Sequence, residues 1–435
     1  MATRPAVLVT GADQHQGLAV IRGLGLAGIR VVACGVERRS IGFYSRFAAA
    51  TARYTSPFAS RQDFVADILR IVRQTGASLI IPTVESTMVV LNEWRHVVEP
   101  SAALAAPRPD VFEYAIDKGK TLGLAERLQV PTPRTVQGAT TGEILARAGE
   151  LRFPVAIKPR GHGLHLATAN TLGFKVRYAR TADELGERLQ PFERDAKALL
   201  VQEYVPGVGR CVAAVCRQGE PLALFAYARD RELPLSGGVS VVRRSIPLDE
   251  RLESYTAALL REVGWHGVAM VEFKYDLQAD RYTLMEINGR FQASTALSLD
   301  AGLNLPRLVA ALYGIGRTGP IPPYRVGVEE RWLRGDVLAL RDALIGRHAP
   351  TAAPAGSLPL RRRVLWHFAR DFRPGMRYDE FKWYDPKPGV AEGLGLIAMT
   401  LGWLFGWVRR IGGYRPLRRR ASTLTSSMAH RSIRA

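Results

Sequence analysis

Carboxylate side chains occur in two short apolar segments that lie close together in the sequence, residues 271–274 (VEFK) and 284–291 (LMEINGRF). Side chains in a β-strand alternate between its two faces, so Glu286 and Asn288 share one face. If the two segments form paired strands, Glu272, Glu286 and Asn288 converge as three oxygen ligands. Burial of unpaired carboxylates is costly, and such ligands suit Mg2+, which also keeps waters and phosphate oxygens. The pattern predicts a metal site, with exposed acids on half-buried strands as the alternative.

Two lysines upstream of these segments are candidates for contacting a phosphate group beside such a metal. Lys158 ends the apolar run FPVAIK and precedes a glycine-bearing loop, residues 159–163, whose backbone amides could approach a phosphate. Lys118 opens a predicted helix. Either lysine alone is more often a solvated charge. His162 in this loop and His165 just after it are candidate phosphate contacts, with ordinary loop residues as the alternative.

A third candidate segment closes the predicted strand at residues 199–204. It consists of Gln202, Glu203, Tyr204 and Val205 and is followed by proline and glycine. This arrangement resembles a hinge whose backbone reads an adenine ring. Without the other motifs it is only the end of a strand.

The elements of the N-terminal part predict a doubly wound sheet. Short β-branched runs alternate with helical spacing of apolar residues, which indicates right-handed βαβ units. The predicted strands are residues 6–10, 31–34 and 79–82, and the helices are residues 17–28 and 63–74. The first turn, residues 11–17, lacks the full dinucleotide fingerprint. A Rossmann-like domain is therefore expected, but not NAD binding by it.

The middle of the chain has a different pattern of predicted helices and strands. Residues 117–129 and 251–264 have helical spacing, whereas several runs between them and after them have strand character. These strand candidates are residues 153–158, 199–204, 211–216, 222–227, 268–273 and 282–287. The mixture predicts an α+β domain that is rich in antiparallel sheet.

Together and in this order, these pieces resemble the ATP-grasp superfamily over about residues 1–320. The resemblance implies a Rossmann-like pre-ATP-grasp domain (1–108), an ATP-grasp domain (109–320) and a basic helical C-terminal extension (321–435). It implies that the two lysines contact ATP phosphates and that the hinge backbone, chiefly Glu203 and Val205, binds adenine. The metal would be Mg2+, with Mn2+ as the alternative, on Glu272, Glu286 and Asn288. Arg290 would face the reacting phosphoryl or acyl group, and Lys158 would assist it.

The resemblance is to the biotin carboxylase, carbamoyl phosphate synthase and D-alanine–D-alanine ligase group. Residues 229–238 and 383–388 also resemble segments of uncharacterised bacterial carboxylate–amine ligases; for residues 233–238 (LPLSGG) the alternative is an ordinary mobile loop. The implied activity is ADP-forming ligation of a small carboxylate to an amine, by a monomer or a homodimer. The alternatives are a carboxylase or carbamoyl-phosphate-type enzyme, and a non-catalytic ATP-binding scaffold at a membrane.

Two departures from the family pattern concern the nucleotide site. Many members carry an acidic residue just beyond the hinge for the ribose hydroxyls, whereas residues 208–211 here read VGRC. The metal strand usually continues Asn-Pro-Arg, whereas this chain has Gly289 between Asn288 and Arg290. Glycine permits a turn there but fixes it less firmly than proline.

The charge of the chain is strongly positive and uneven. The net charge is +20, and residues 331–435 hold 20 Lys or Arg against 7 Asp or Glu. A basic surface can attract an anionic membrane or nucleic acid, but no zinc finger or RNA-binding motif supports nucleic acid. Residues 389–408 are mostly apolar. We interpret them as a helix docked on the protein or as an interfacial membrane helix; a transmembrane span, which needs about 20 apolar residues, is the least favoured alternative. Three cysteines without metal spacing and a poor signal sequence favour the cytoplasm, with the inner membrane face as a docking surface.

Overall fold

A computed structural model describes residues 5–161, 176–235, 238–345 and 361–411, with side chains described as far as residue 403. His162 and His165, named above as candidate phosphate contacts, lie outside the described residues. The chain divides into two compact units, Met1–Glu392 and Gly393–Ala435. The sheets described below and the candidate site all belong to the first unit.

The first unit begins with a five-stranded parallel sheet in the order β3-β2-β1-β4-β5. Its strands are β1 (Ala6–Val9), β2 (Arg30–Gly35), β3 (Ala48–Arg53), β4 (Ala77–Ile81) and β5 (Ala103–Leu104). The helices between them are α1 (His15–Leu26), α2 (Arg61–Thr75), α3 (Glu85–Glu93) and α4 (Arg95–Val98), with a 3-10 turn at Ile41–Tyr44. The Rossmann-like prediction is confirmed, and β3 is an edge strand that the sequence did not predict.

Glycine is required where α1 follows β1. The backbone oxygen of Gly11 lies only 2.1 Å from the position that a Cβ on Gly17 would occupy, so no larger residue fits there. Gly11 itself has a φ of +71°, in the left-handed region that favours glycine. This close packing brings the start of α1 directly against the end of the first strand.

A small four-stranded sheet follows, in the order β6-β9-β7-β8. Its elements, in chain order, are α5 (Pro109–Ile116), α6 (Lys118–Arg127), β6 (Thr135–Val136), α7 (Thr141–Ala146), β7 (Val155–Pro159), β8 (Arg177–Ala179), α8 (Ala182–Leu189) and β9 (Leu199–Glu203), with 3-10 turns at Ala148–Glu150 and Gln190–Ala198. Its pairs are antiparallel, and its own apolar cluster includes Val155, Ile157, Leu185 and Val201. This sheet carries Lys158 and the hinge.

The largest sheet has seven strands in the order β14-β13-β10-β11-β12-β15-β16. The strands are β10 (Val208–Arg217), β11 (Glu220–Leu233), β12 (Val239–Ser245), β13 (Gly267–Asp276), β14 (Arg281–Asn288), β15 (Glu329–Arg331) and β16 (Arg377–Tyr378). The helices are α9 (Glu250–Glu262), α10 (Thr295–Asp300), α11 (Leu305–Leu312), α12 (Leu333–Leu344), α13 (Arg361–Arg370) and α14 (Pro386–Ile411). One buried apolar cluster joins Leu8 and Ile80 of the parallel sheet to Val271 and Leu284 of this sheet, so the two share a core.

Residues 229–233 form the end of a strand, and the mobile-loop alternative for residues 233–238 stays a prediction. Residues up to Leu233 continue β11, and Gly209 of β10 lies opposite Arg229. The proline, serine and glycine residues that suggested a loop begin only after this strand ends. The pairing therefore carries Arg229 into the middle of the large sheet.

Residues beyond 320 contribute strands and buried ion pairs to the same sheet. β15 pairs with β12, and β16 pairs with β15. Arg243 is fully buried and donates to Glu330 and Asp379, while Lys382 donates to Asp300 and Glu330. The boundaries proposed at residues 108 and 320 stay predictions, and the residues after 320 are tied into the large sheet by these pairs.

Replacement of Arg22 by methionine should destabilise the protein. Arg22 is 1% exposed, and its guanidinium donates to the Asp385 carboxylate at 2.8 Å and to the carbonyls of Asp379 and Glu380 at 2.7 Å. Removal of one partner of a buried pair costs about 3–5 kcal/mol because the other charge stays buried. We expect a loss of that size in the free energy of unfolding measured in urea. The exposed Arg30→Met is the control, and an equal effect of the two changes would contradict the prediction.

Candidate functional site

Glu272, Glu286 and Asn288 meet on one face of the large sheet. β13 and β14 are antiparallel, and Glu272 lies directly opposite Glu286. Asn288 lies two residues further along β14, and its side-chain amide donates to the Glu286 carboxylate at 2.9 Å. Phe273 points to the other face and is fully buried in the core. The convergence expected from strand alternation is therefore present.

Arg229 is the partner of Glu272, a contact that the sequence analysis did not predict although it singled out residues 229–238. Its two terminal nitrogens donate to the two Glu272 carboxylate oxygens at 2.8 and 2.5 Å. The same guanidinium reaches Glu232 at 3.2 Å and the Gly238 carbonyl at 3.3 Å. A paired guanidinium of this geometry fixes the orientation of the carboxylate. Arg229 thus positions Glu272 toward Glu286.

The electrostatics of the opposed carboxylates favour a cation between them. Burial raises the pKa of Glu272, Arg229 lowers it, and the neighbouring Glu286 raises it again. Two carboxylates that face each other repel unless a positive charge lies nearby. An all-oxygen set of two carboxylates and one amide is the chemistry that Mg2+ prefers. The residues present therefore fit the metal that the sequence predicted.

Lys118 brings a positive charge to this face. Its ammonium lies 3.6 Å from Glu286, and burial lowers the pKa of Lys118. Lys118 is the first residue of α6, which Asp117 caps by accepting from the backbone amides of Gly119 and Lys120. Arg160 grips the same Asp117 carboxylate with two hydrogen bonds of 2.8 and 2.9 Å. The cap and the arginine fix the start of the helix, and with it Lys118.

Lys158 lies near the end of β7 and is partly buried. Burial, and next the charge of Lys118, lower the pKa of Lys158 to about 8. The Arg160 carbonyl accepts from the backbone amide of Lys118 at 3.0 Å, which ties the strand end to α6. The two predicted phosphate contacts therefore belong to elements that are joined directly.

The first two hinge residues are held by their own sheet. Gln202 is 3% exposed and donates to the Thr135 hydroxyl at 3.0 Å. The backbone amide of Glu203 donates to the Arg134 carbonyl at 2.9 Å, and its carboxylate accepts from the Arg152 amide at 2.9 Å. The side chain of Gln202 and the carboxylate of Glu203 therefore stabilise the sheet and its neighbouring loop. If Glu203 contacts the nucleotide, it does so through its backbone carbonyl.

The other two hinge residues lie at the edge of the sheet. The Tyr204 amide donates to the Pro154 carbonyl at 3.0 Å, and its ring packs edge-on against Tyr178 at 5.9 Å. Within the described ranges the Val205 amide has no hydrogen-bond partner. Arg210, at the position where an acid was expected for the ribose, lies over the Tyr275 ring at 5.8 Å. Adenine binding by the hinge stays a prediction.

Arg290 follows directly after β14. Its guanidinium donates to the Gln292 side chain at 3.0 Å and to the Phe291 carbonyl at 3.3 Å. Among the residues that the structure describes, no carboxylate pairs with it. A cation that is held by neutral groups close to Asn288 stays available for an anionic ligand.

Gly289 has a packing role and not the turn role expected from the sequence. Its φ is not positive, but a Cβ there would lie 2.8 Å from the Phe112 ring and 3.2 Å from Trp265. We expect Gly289→Ala to lower the free energy of unfolding by about 1–3 kcal/mol, the usual range for overpacking. Adding Phe112→Leu should restore part of this loss.

A matched control for this change is Gly123→Ala. Gly123 lies inside α6 with nothing near its missing Cβ, so alanine should stabilise by roughly 0.5–1 kcal/mol. Both values come from urea unfolding of the purified chain. A neutral Gly289→Ala would show that Phe112 does not restrict this position.

Parts of the chain are similar to known proteins. Residues 195–334 match the model of a family described as ATP-grasp in the biosynthetic pathway with Ter operon. N5-carboxyaminoimidazole ribonucleotide synthase of Synechococcus elongatus is 28% identical over 207 residues, which are 47% of this chain and 50% of the relative. D-aspartate ligase of Enterococcus faecium is 26% identical over 228 residues, 49% of this chain and 54% of the relative. The chain spans about half the length of each of these two relatives.

Solved structures share the fold over more of the chain. The biotin carboxylase of Campylobacter jejuni has a TM-score of 0.58 at 15% identity, covering 75% of this chain and 74% of that one. An ADP complex of N5-carboxyaminoimidazole ribonucleotide synthetase has a TM-score of 0.58 at 12% identity, covering 80% and 88%. At such identities the likeness concerns the fold alone. The family match shows an ATP-grasp segment at residues 195–334, and the solved structures show that most of the chain shares their fold.

Proposed function

We propose that this chain is a Mg-ATP-dependent ligase that activates a carboxylate as an acyl phosphate for attack by an amine. The observation that carries the proposal is the opposed pair Glu272 and Glu286 with Lys118 beside it. A metal site of oxygen ligands next to partly buried lysines suits the phosphates of a nucleotide. The names of relatives, which include ligases of D-alanine and D-aspartate, support a carboxylate and an amine as substrates.

The chemistry of the proposal balances as two substitutions. A substrate carboxylate oxygen attacks the γ-phosphorus of ATP, the bond to the bridging oxygen breaks, and ADP leaves. The amine nitrogen then attacks the acyl carbon and loses a proton, and phosphate leaves with one former carboxylate oxygen. Phosphate is a far better leaving group than oxide, which is why activation is required. The products are an amide, ADP and phosphate.

The residues of the chain contribute positioning and charge in this scheme. Glu272, Glu286 and Asn288 would hold Mg2+, which supplies neutralisation of the phosphate oxygens. Lys118 and Lys158 hold the nucleotide phosphates, and Arg290 stabilises the charge on the group in transfer. Fixed cations in a partly buried site are effective because they need no rearrangement during the reaction. No nucleophilic serine or cysteine takes part.

The proposal is tested by a screen for ADP release. The purified chain receives Mg-ATP with pools of carboxylates and amines, and positive pools are resolved by mass analysis of the product. We expect ADP and phosphate in amounts equal to the amide formed. AMP and pyrophosphate would exclude the acyl-phosphate scheme. Turnover with bicarbonate as the sole carboxyl donor would instead favour the carboxylase alternative. A biotin carboxylase is among the solved structures that share the fold.

The proposal also has a pH dependence. With a pKa of about 8, Lys158 is cationic below that pH and becomes neutral as the pH rises through it. We expect kcat/KM for ATP, with other substrates saturating, to fall above about pH 8 because a phosphate contact is lost. Lys158→Arg keeps its charge, since arginine stays protonated, and its profile should be flat there. The same alkaline fall in both proteins would exclude Lys158 as its cause.

We further propose that the chain works in the cytoplasm and docks on an anionic membrane through α14. Val390, Leu394, Ile397 and Leu401 are 55%, 64%, 57% and 47% exposed and recur at helical spacing along one stripe. Lys387 stands at one end of the helix, and the sequence has Arg409 and Arg410 near the other. In the part of the chain that the structure describes, no helix is long and apolar enough to span a bilayer.

Flotation with vesicles tests this docking. The full chain should float with vesicles that contain phosphatidylglycerol and less with phosphatidylcholine alone. The double change Leu394→Asp and Ile397→Asp should abolish flotation, while the exposed Leu277→Asp should leave it intact. Equal recovery of all three proteins would exclude the helix as the membrane contact. Light scattering of the purified chain without vesicles decides between the monomer and the homodimer.

A further inference from the structure

Three possible metal ligands meet at the start of α1, apart from the nucleotide site. They are His15, the first residue of α1, with Glu380 after β16 and Glu392 in α14. One donor atom from each residue lies within 4.8 Å of the others. The proposed ligation chemistry uses none of these residues.

Two atoms of this cluster are buried without a hydrogen bond to any residue that the structure describes. They are His15 Nδ1 and Glu380 Oε1, which face each other at 3.6 Å. This separation is too long for a hydrogen bond. The Glu380 side chain is only 5% exposed, so its carboxylate oxygen is shielded from bulk water. A buried oxygen without a hydrogen bond costs free energy, so a bound cation or another partner at this position would stabilise the protein.

The neighbouring arginines do not provide that ligand. Arg22 donates to Asp385, Arg243 donates to Asp379 and Glu330, and Arg334 donates to Glu392 at 3.2 Å. Each guanidinium is therefore engaged with another carboxylate. In the described ranges none of them donates to the Glu380 carboxylate.

The geometry of the two facing atoms matches a zinc ion. Bonds of about 2.0–2.1 Å to nitrogen and 2.0–2.2 Å to oxygen at a tetrahedral angle separate the two ligand atoms by about 3.4 Å. We propose that His15, Glu380 and Glu392 bind Zn2+. The imidazole nitrogen favours zinc over magnesium, which prefers oxygen ligands only. Three protein ligands leave a fourth position for water or a small anion.

The surroundings of the three residues support this assignment. The Nδ1 atom of the His15 imidazole faces Glu380 Oε1 at 3.6 Å, so both atoms point to the proposed ion. The Trp332 ring packs against the imidazole with centroids 4.9 Å apart, which restricts its orientation. Arg334 on Glu392 is the kind of outer contact that orients a metal-binding carboxylate. The ion would fasten Glu380 and Glu392 to the start of α1.

Zinc uptake by the full chain tests the proposal. The protein is freed of metal by dialysis against a chelator, then titrated with Zn2+ in excess Mg2+, and bound zinc is counted after gel filtration. We expect one zinc per chain and a rise in Tm on loading. Glu380→Gln, which keeps the shape of the side chain, should lower zinc affinity at least ~10-fold and remove the rise in Tm.

Matched controls separate this site from others. Glu286→Gln at the nucleotide site and His266→Asn, a half-buried histidine elsewhere, should leave zinc uptake unchanged. His15→Gln is the second site variant, and the Tm of the metal-free proteins reports on folding. Cobalt bound in place of zinc should give tetrahedral visible bands that both site variants lose. Failure of the wild-type chain to retain zinc, or equal uptake by the wild type and both site variants, would overturn the proposal.

Discussion

Replacement of Glu286 by glutamine is expected to lower kcat for ADP release by at least ~100-fold. Glu286 faces Glu272 across the strand pair, accepts from Asn288 and lies 3.6 Å from Lys118. Loss of an outer contact to a metal ligand typically costs 10–100-fold in affinity or activity, so loss of a ligand should cost at least as much. The change keeps the size of the side chain and removes only its charge. The measurement is steady-state ADP release with the substrates found by the screen.

The matched control for this prediction is Glu220→Gln. Glu220 begins β11 and forms an exposed pair with Arg261, at the end of β10 away from Cys211, which lies opposite Glu272. We expect its kcat to stay within about twofold of the wild type, since exposed pairs contribute little. Normal turnover of Glu286→Gln would exclude this carboxylate as a metal ligand.

Arg290→Ala should lower kcat by about 10²–10³-fold while changing KM for ATP much less. Its guanidinium is held by the Gln292 side chain and a backbone carbonyl, and it follows directly on β14. A fixed cation that meets charge developing in the transition state contributes about this much to kcat. An interaction made mainly in the transition state lowers kcat and kcat/KM together. Steady-state kinetics at varied ATP concentration separate the two constants.

Arg281→Ala is the control for charge on the same strand. Arg281 is exposed at the opposite end of β14 and carries the same charge. We expect unchanged kinetics for this variant. If Arg290→Ala raised only KM for ATP, Arg290 would be a nucleotide contact without a part in the transfer step.

The strands of the site were predictable because their signals are local. Alternation of apolar and acidic residues in two neighbouring segments placed Glu286 and Asn288 on one face, and the strands pair with Glu272 opposite Glu286. Lys118 was placed at a helix start, where Asp117 now caps it. These features depend on a few consecutive residues. No distant part of the chain is needed to infer them.

The features that the sequence missed depend on distant contacts. β10 pairs with both β11 and β13, and Arg229 of β11 reaches across β10 to Glu272 of β13. This contact therefore depends on the order of the strands in the sheet. The edge strand β3 consists of alanine, threonine and arginine, which lack the apolar signal of a buried strand. Gly289 was assigned to a turn, whereas the Phe112 ring explains it. The Arg22 pair joins residues 363 positions apart, and no local pattern encodes such a contact.

Calorimetric titration with a non-hydrolysable ATP analogue tests the central claim without knowledge of the other substrates. The wild-type chain and Glu286→Gln are each titrated with and without Mg2+. We expect one nucleotide per wild-type chain and at least ~10-fold weaker binding without Mg2+, because Glu272, Glu286 and Asn288 form the metal site. In Glu286→Gln the dependence on Mg2+ should largely disappear. No nucleotide binding by the wild type, or the same dependence on Mg2+ in both proteins, would contradict the claim that these residues bind Mg-ATP.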